Sequence, residues 1–228
     1  MYISRYMIKE PVTVTPEMVL PEARRLLNEN HCRHLPVVDR DGQLVGMISD
    51  RDLRSAYPSS MLTESERLQV YARVEKAVVA DIMTTECITL TPESTLDDAL
   101  LLFDSEGVGA LPVLEYGRVV GILSSRDLLA AYKVLFGVGE KGSVLLGIED
   151  EGGSGDGQGW PNAAGAREGG SGLMTRIVTL LEEHDIPFTR LLRIDDEENG
   201  NRIYLRLNTY KIASVVNLLR EAGIRPAL

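Results

Sequence analysis

The sequence contains two versions of one phrase, GMISDRDL at 46–53 and GILSSRDL at 121–128. The similarity extends far upstream, because Met7 aligns with Met83 and HLPVV at 34–38 aligns with ALPVL at 110–114. Both alignments have an offset of 76 residues (83 − 7). One residue is lost in the next turn, after which Gly46 aligns with Gly121. The chain therefore contains two copies of one unit. We expect the two copies to pack together, so that each buries apolar surface that the other would expose if it were alone.

Each copy predicts the element order β-α-β-β-α. Proline after a short β-rich run ends the strand, and the preceding threonine, Thr15 or Thr91, is expected to cap a helix. Paired strands and a further helix follow. The predicted elements are strands at 12–14 and 88–90, helices at 17–29 and 93–105, the strand pairs LPVVD/LVGMIS and LPVL/VVGILS, and helices after Asp52 and Asp127. Between the copies, Thr63 and Glu66 predict a capping box for a connecting helix over 63–77.

The repeated Ser-x-x-Asp has the chemistry of a nucleotide site. A helix start offers unpaired backbone N–H groups, to which the hydroxyls of Ser49 and Ser124 add a donor for phosphate. Asp52 and Asp127 can accept hydrogen bonds from two vicinal hydroxyls, as on a ribose. Arg51 and Arg126 add positive charge for a phosphate. The same pattern is also close to a plain capping box. For a single copy the cap is the favoured interpretation, whereas recurrence in both copies, together with the family resemblance that these landmarks carry, favours a ligand role in at least one of them.

With these landmarks in order, residues 1–135 resemble a tandem pair of CBS domains, also called a Bateman module. The resemblance implies a pseudo-twofold α+β module with an adenosine-containing ligand, such as AMP, ADP, ATP or S-adenosylmethionine, in its cleft. It pairs the aspartate of one motif with residues of the other. Asp52 is expected to share a pocket with Ala80, Thr85, Ile88 and the backbone at Gly109 and Ala110. Asp127 is expected to share one with Ser4, Lys9, Val12 and the backbone at Arg33 and His34.

The C-terminal part predicts the order β-α-β-β-α-β, a ferredoxin-like layout. This order and the Gly-Leu pair at 172–173 resemble an ACT domain, which implies effector contacts at Gly172 and Leu173. A glycine-rich insert at 151–172 departs from the ACT pattern at that place. The predicted domains are the first CBS motif at 1–60, the connecting helix at 61–79, the second CBS motif at 80–136 and the ACT-like domain at 137–228. This architecture is similar to acetoin-utilisation proteins of the B type.

Charge and cysteine content limit the function. The formal net charge of −10 argues against nucleic-acid binding, and no apolar run suggests a signal peptide or a membrane span. Two cysteines without C-x-x-C spacing favour the reducing cytoplasm. His31, Cys32 and His34 are close in sequence, but no further ligand is near, so no metal site is predicted.

The absence of familiar catalytic motifs favours a non-catalytic regulator that needs no cofactor and takes an adenine nucleotide as its regulatory ligand. The expected partners are a second copy of the chain and a protein target that the sequence does not identify. The alternatives are a ligand-free oligomerisation scaffold and an amino-acid sensor acting through the ACT-like domain.

Overall fold

The duplicated sequence folds as two α/β motifs whose sheets exchange edge segments. The computed structural model describes residues 1–150, 170–194 and 201–227, and the chain divides into two compact units, Met1–Ala131 and Tyr132–Leu228. The first motif contains β1 (Ile8–Lys9), α1 (Leu20–Glu29), β2 (His34–Val38), β3 (Leu44–Ser49) and α2 (Asp50–Ala56). The connecting helix is α3 (Glu64–Val74), and the second motif contains α4 (Leu96–Glu106), β4 (Ala110–Glu115), β5 (Arg118–Ser124) and α5 (Ser125–Leu135).

The edge exchange is visible in the strand register. Strand β1 of the first motif pairs antiparallel with β5 of the second, where Lys9 faces Gly121. In the reciprocal position, Thr84 of the second motif bridges Met47 of β3. Two backbone hydrogen bonds of 2.8 and 2.9 Å join that pair. Each motif therefore completes its sheet with the N-terminal segment of the other, and neither sheet is complete alone.

Both motifs begin with a short 3-10 turn that anchors this exchange. The turn at Ile3–Arg5 buries Ile3, and its counterpart at Val79–Asp81 buries Val79. The amide of Ile3 donates to Ser94 O of the second motif at 2.9 Å, and the amide of Val79 donates to Met18 O of the first at 2.8 Å. These turns are symmetry-related in sequence and in contact. Residues that are 76 positions apart in the sequence therefore occupy equivalent places in the two motifs.

The helices after the Thr-Pro steps begin three residues later than predicted, so the prediction of Thr15 and Thr91 as caps was wrong. Helix α4 is capped by Thr95, which forms a complete capping box with Asp98. Helix α1 begins after Val19 without a side-chain cap. Its first amide, that of Leu20, instead donates to Ala77 O at 3.0 Å. A distant backbone carbonyl thus replaces the local cap.

The connecting helix starts as predicted. Thr63 and Glu66 form a capping box in which the Thr63 hydroxyl donates to Glu66 Oε2 at 2.6 Å. The helix ends at Val74, three residues before the predicted end, and Val74 is buried in the core of the first motif. That core also contains apolar residues from α1, β2, β3 and α2: Leu20, Ala23, Leu27, Leu35, Val37, Ile48 and Leu53.

The second unit has the predicted order β-α-β-β-α-β. Its elements are β6 (Ser143–Glu149), α6 (Gly170–Glu183), β7 (Phe188–Ile194), β8 (Arg202–Asn208), α7 (Ile212–Glu221) and β9 (Pro226–Ala227). The sheet order β7-β8-β6-β9 places the first and third strands of the unit at its centre, and one face buries Ile148, Ile203 and Leu205. Most of the predicted glycine-rich insert lies outside the described residues. Its last residues, from Gly170, belong to α6.

Candidate functional site

The two Ser-x-x-Asp motifs lie where β3 and β5 end and the next helices begin. Helix α2 starts at Asp50 and α5 at Ser125, so each serine directly precedes its helix and each aspartate is the third helical residue. The helices thus begin before the aspartates, three residues earlier than the predicted starts after Asp52 and Asp127. Asp52 and Asp127 are half-buried, whereas Arg51 and Arg126 are exposed. The duplicated pattern is therefore a duplicated structure.

The capping interpretation describes the hydrogen bonds of both motifs. Asp52 Oδ2 accepts from the Ser49 amide at 2.8 Å and from the Ser49 hydroxyl at 2.6 Å. Asp127 Oδ2 accepts the same two bonds from Ser124, at 2.9 and 2.6 Å. In both aspartates Oδ1 makes no hydrogen bond to another described residue. A capping aspartate thus keeps one acceptor oxygen available for a ligand hydroxyl.

The exchanged segments bring the predicted residues of one motif onto the sheet of the other. Lys9 faces Gly121 on β5, the strand that ends at Ser124. Thr85 follows Thr84, which bridges Met47 on β3, the strand that ends at Ser49. Ser4 lies in the first 3-10 turn and Ala80 in the second. These segments thus cross between the motifs, and the shared pockets themselves stay a prediction.

Val12 and Ile88 are half-buried, each two residues before a parallel bridge on the other edge of its own motif's sheet. The bridge pairs are Val14–Val37 and Leu90–Val113. Val12 packs partly against the core of the first motif.

The remaining predicted residues lie at the junction of the two motifs. His34 faces Ser49 across β2–β3, and Ala110 faces Ser124 across β4–β5. Arg33 O accepts from the Asp50 amide at 2.9 Å, and Gly109 O accepts from the Ser125 amide at 3.2 Å. Each of these residues is thus adjacent to the aspartate motif of its own copy, as well as belonging to the predicted pocket of the other.

The imidazole of His34 reaches across this junction. A methyl group built on Gly109 would lie 2.8 Å from His34 Nε2, so the ring packs directly on the glycine backbone. Burial lowers the pKa of His34. The neighbouring Arg33 and Arg51 lower it further, whereas Asp52 and Asp50 raise it. The family resemblance implied a pocket role only for the backbone of this residue, so the contact made by its ring was not predicted. The signal for that contact was glycine at 109, the repeat position that holds arginine at 33.

The other candidates are less well supported. Among the described residues, no three His, Cys, Asp or Glu side chains form a group that could hold a metal ion. Cys32 and Cys87 are free thiols, and burial raises the pKa of both. Gly172 is exposed in the first turn of α6, and Leu173 packs partly against the core of the second unit. Within the described residues no helix is long and apolar enough to cross a bilayer.

Comparison with known proteins identifies the family. The CBS domain profile matches residues 3–59 and 79–134. A CBS domain-containing protein of Dictyostelium discoideum is 38% identical over 130 residues, which cover 56% of this chain and 88% of the relative. The chain belongs to the CBS-domain family. An inosine-5'-monophosphate dehydrogenase of Bifidobacterium longum is 33% identical over 125 residues, which cover 54% of this chain but only 21% of the enzyme.

Solved structures of CBS pairs share their fold with about three fifths of the chain. A protein of Vibrio cholerae assigned to acetoin utilization covers 62% of this chain and is itself covered to 96%, at 23% identity and a TM-score of 0.51. A CBS pair in complex with 5-methylthioadenosine and S-adenosyl-L-methionine shows 26% identity and a TM-score of 0.50, with coverages of 59% and 98%. CBSX2 of Arabidopsis thaliana in complex with AMP gives the same identity, TM-score and coverages. The likeness supports a mixed α+β CBS-pair fold and covers only part of the chain.

Proposed function

We propose that this CBS-domain protein is a non-catalytic regulator that senses adenosine-containing ligands in the cleft between its two motifs. One observation carries the proposal. Both motifs place a half-buried aspartate with an available carboxylate oxygen at the end of a strand whose sheet is completed by the other motif. A ligand whose hydroxyl binds this oxygen would also contact the segment supplied by the other motif. Its binding therefore depends on how the two motifs are arranged.

The relatives support the chemical class of the ligand. Related CBS pairs have been crystallised with AMP, with S-adenosyl-L-methionine and with 5-methylthioadenosine, which share an adenosine group. Their common part is a ribose with vicinal hydroxyls, the group that the available oxygens of Asp52 and Asp127 can accept from.

The enzyme relatives support a regulatory rather than a catalytic role. The matched segment spans about a fifth of the inosine-5'-monophosphate dehydrogenase and of an L-aspartate semialdehyde sulfurtransferase of Methanocaldococcus jannaschii. It spans most of the CBS domain-containing protein YhcV of Bacillus subtilis, 79%. A module found both inside enzymes and nearly alone is suited to control other activities. In our proposal the protein acts in the cytoplasm, where free thiols stay reduced.

The test is ligand-induced stabilisation against matched variants. A ligand at one hundred times its dissociation constant stabilises the native state by about 2.7 kcal/mol. We expect AMP, ADP, ATP or S-adenosylmethionine to raise the melting temperature of the wild type. Asp52→Ala or Asp127→Ala should abolish that rise for the ligand of its pocket. Glu66→Ala is the matched control, because it removes an equivalent capping box at the exposed start of the connecting helix α3, which contributes no predicted pocket residue. No response to any adenosine compound would refute the proposal.

The proposed partner is a second copy, bound through the second motif. Leu100, Leu101 and Leu129 on α4 and α5 are 46%, 67% and 70% exposed. At the equivalent positions the first motif carries arginines that already have partners: Arg24 over the Tyr57 ring, Arg25 with Glu22 and Glu29, and Arg54 with Asp50. At these positions the second motif is thus apolar and the first is not. Burying such a face is favourable.

Charge favours a twofold pairing of that face with itself. Helix α4 carries acidic residues and no basic ones, whereas the solvent side of α5 begins with Arg126. Placing α4 of one protomer against α5 of the other brings opposite charges together at the rim of the leucine patch.

The second unit is proposed to be an ACT-like domain. Its strand and helix order and its central strand pair support that assignment. Binding of an amino acid at Gly172 and Leu173 is the alternative sensing route. A stabilising response to an amino acid but to no nucleotide would favour it.

A further inference from the structure

The two halves of the cleft differ in charge, although they are built from equivalent residues. The first 3-10 turn ends in Arg5 and its counterpart ends in Asp81. Lys9 faces Gly121, whereas Thr85 occupies the equivalent place beside β3. Arg5 and Lys9 thus add positive charge on the side of the Asp127 motif. Asp81 adds negative charge on the side of the Asp52 motif.

The starts of the two helices continue the same trend. Helix α2 begins with Asp50 and α5 with uncharged Ser125. Asp50 pairs with Arg54, whose counterpart is Leu129. Over these equivalent positions the formal charge is +2 around Asp127 and −1 around Asp52. The residues counted are Arg5, Lys9, Arg126 and Asp127 on one side and Asp50, Arg51, Asp52, Arg54 and Asp81 on the other. Arg33 and His34 adjoin both sides and do not separate them.

From this asymmetry we propose that the two pockets take chemically different adenosine ligands. The Asp127 pocket selects a phosphate-bearing nucleotide, because its side of the cleft carries the cations Arg5, Lys9 and Arg126. The Asp52 pocket selects adenosine compounds without a phosphate, because its surroundings repel an anion. The inference rests on the proposed function and deepens it. Related CBS pairs bind both kinds of ligand, AMP in one case and two phosphate-free adenosine compounds in another.

Calorimetry with single-pocket proteins tests the assignment. Asp52→Ala leaves only the Asp127 pocket, and Asp127→Ala leaves only the Asp52 pocket. We expect AMP to bind the Asp52→Ala protein about tenfold more tightly than the Asp127→Ala protein, a difference of about 1.4 kcal/mol. Uncharged 5-methylthioadenosine should bind the Asp127→Ala protein at least as well as the other. AMP binding should weaken as salt is added, because dissolved ions screen the attraction between the phosphate and the exposed cations over a Debye length of about 8 Å.

Charge exchange between equivalent positions provides the decisive variants. In the Asp52→Ala background, Arg5→Asp with Lys9→Thr gives the Asp127 side the residues of its counterpart. Both side chains are exposed and make no hydrogen bond or ion pair with another described residue, so the fold should tolerate the change. AMP affinity should fall about tenfold while 5-methylthioadenosine affinity stays constant. In the Asp127→Ala background, Asp50→Ser with Thr85→Lys should raise AMP affinity.

The outcomes separate this inference from the proposed function. If both pockets bind AMP equally, or if exchange of charge leaves AMP affinity unchanged, the inference fails and the sensor function stands. If neither AMP nor 5-methylthioadenosine binds the wild type, both fail together.

Discussion

Two equivalent glycines provide a sharp test of the edge exchange, because they meet different atoms. Gly46 and Gly121 are buried at matching positions of β3 and β5, and neither has a positive φ. A Cβ on Gly121 would lie 2.5 Å from Met7 Sδ, the mobile part of a flexible side chain. A Cβ on Gly46 would lie 2.8 Å from Met83 Sδ and also 2.9 Å from Thr84 O, a backbone atom.

The energetic consequences should therefore differ. Thr84 O accepts from the Met47 amide at 2.8 Å, so moving it disrupts the bridge between the motifs. Overpacking costs about 1–3 kcal/mol, and a lost hydrogen bond adds about 1 kcal/mol. A smaller entropy of the unfolded chain offsets about 0.4–1 kcal/mol. We expect Gly46→Ala to destabilise the first unit by about 2–3 kcal/mol. Gly121→Ala should cost less than about 1 kcal/mol, because Met7 can rotate away.

The assay must report on one unit at a time, since a chain of two units need not unfold in a single step. Hydrogen exchange of β3 and β5 peptides at increasing urea gives the opening free energy of the first unit. Adding Met83→Ala should leave most of the Gly46→Ala loss in place, because the carbonyl clash remains. Equal losses for the two glycine variants would refute the reasoning, as would full rescue of Gly46→Ala by Met83→Ala.

Three further predictions concern other contacts. Because the pKa of His34 is lowered, the unfolded state binds more protons, so stability should fall as pH drops below 6.5. His34→Gln should flatten that slope in urea titrations, and an unchanged slope would contradict it. Leu101→Arg should dissociate the proposed dimer in sedimentation experiments, whereas Met61→Arg, at a 93% exposed position, should not. Arg190 donates to the α5 carbonyls of Val134 and Leu135 and pairs with Glu140. Arg190→Lys should weaken these hydrogen bonds, because lysine lacks the planar guanidinium group, and should speed proteolysis after α5. An unchanged cleavage rate would contradict a role of Arg190 in holding the end of α5.

The repeat made much of the fold predictable from sequence. The strand pairs β2–β3 and β4–β5, the connecting helix with its Thr63 cap and the element order of the second unit were all expected. These features depend on contacts between residues near one another in the chain. Local patterns record such contacts because propensity, spacing and turn chemistry act over a few residues.

The features that were missed depend on distant partners. Helix α1 starts at Leu20 rather than after Thr15, because Ala77 O satisfies its first amide. The strand β1 was not foreseen, because it exists only by pairing with β5 of the other motif. The packing of His34 on Gly109 likewise joins residues that are 75 positions apart. The periodicity of a single sequence does not indicate which distant backbone group will form a hydrogen bond or a packing contact with a given residue.

The two interpretations of Ser-x-x-Asp could not be separated at the level of sequence, because the same residues serve both. In each aspartate the cap uses Oδ2 and leaves Oδ1 available, so capping and ligand binding are compatible. The cap holds the carboxylate in place before a ligand arrives, which lowers the entropy lost on binding. The ligand would then bridge a capped helix start of one motif and the exchanged segment of the other. It would bind less well to any state in which the exchange is loosened, and by linkage it would stabilise the joined state. Gly46→Ala, which strains the exchange without touching either aspartate, should therefore weaken ligand binding as well as stability.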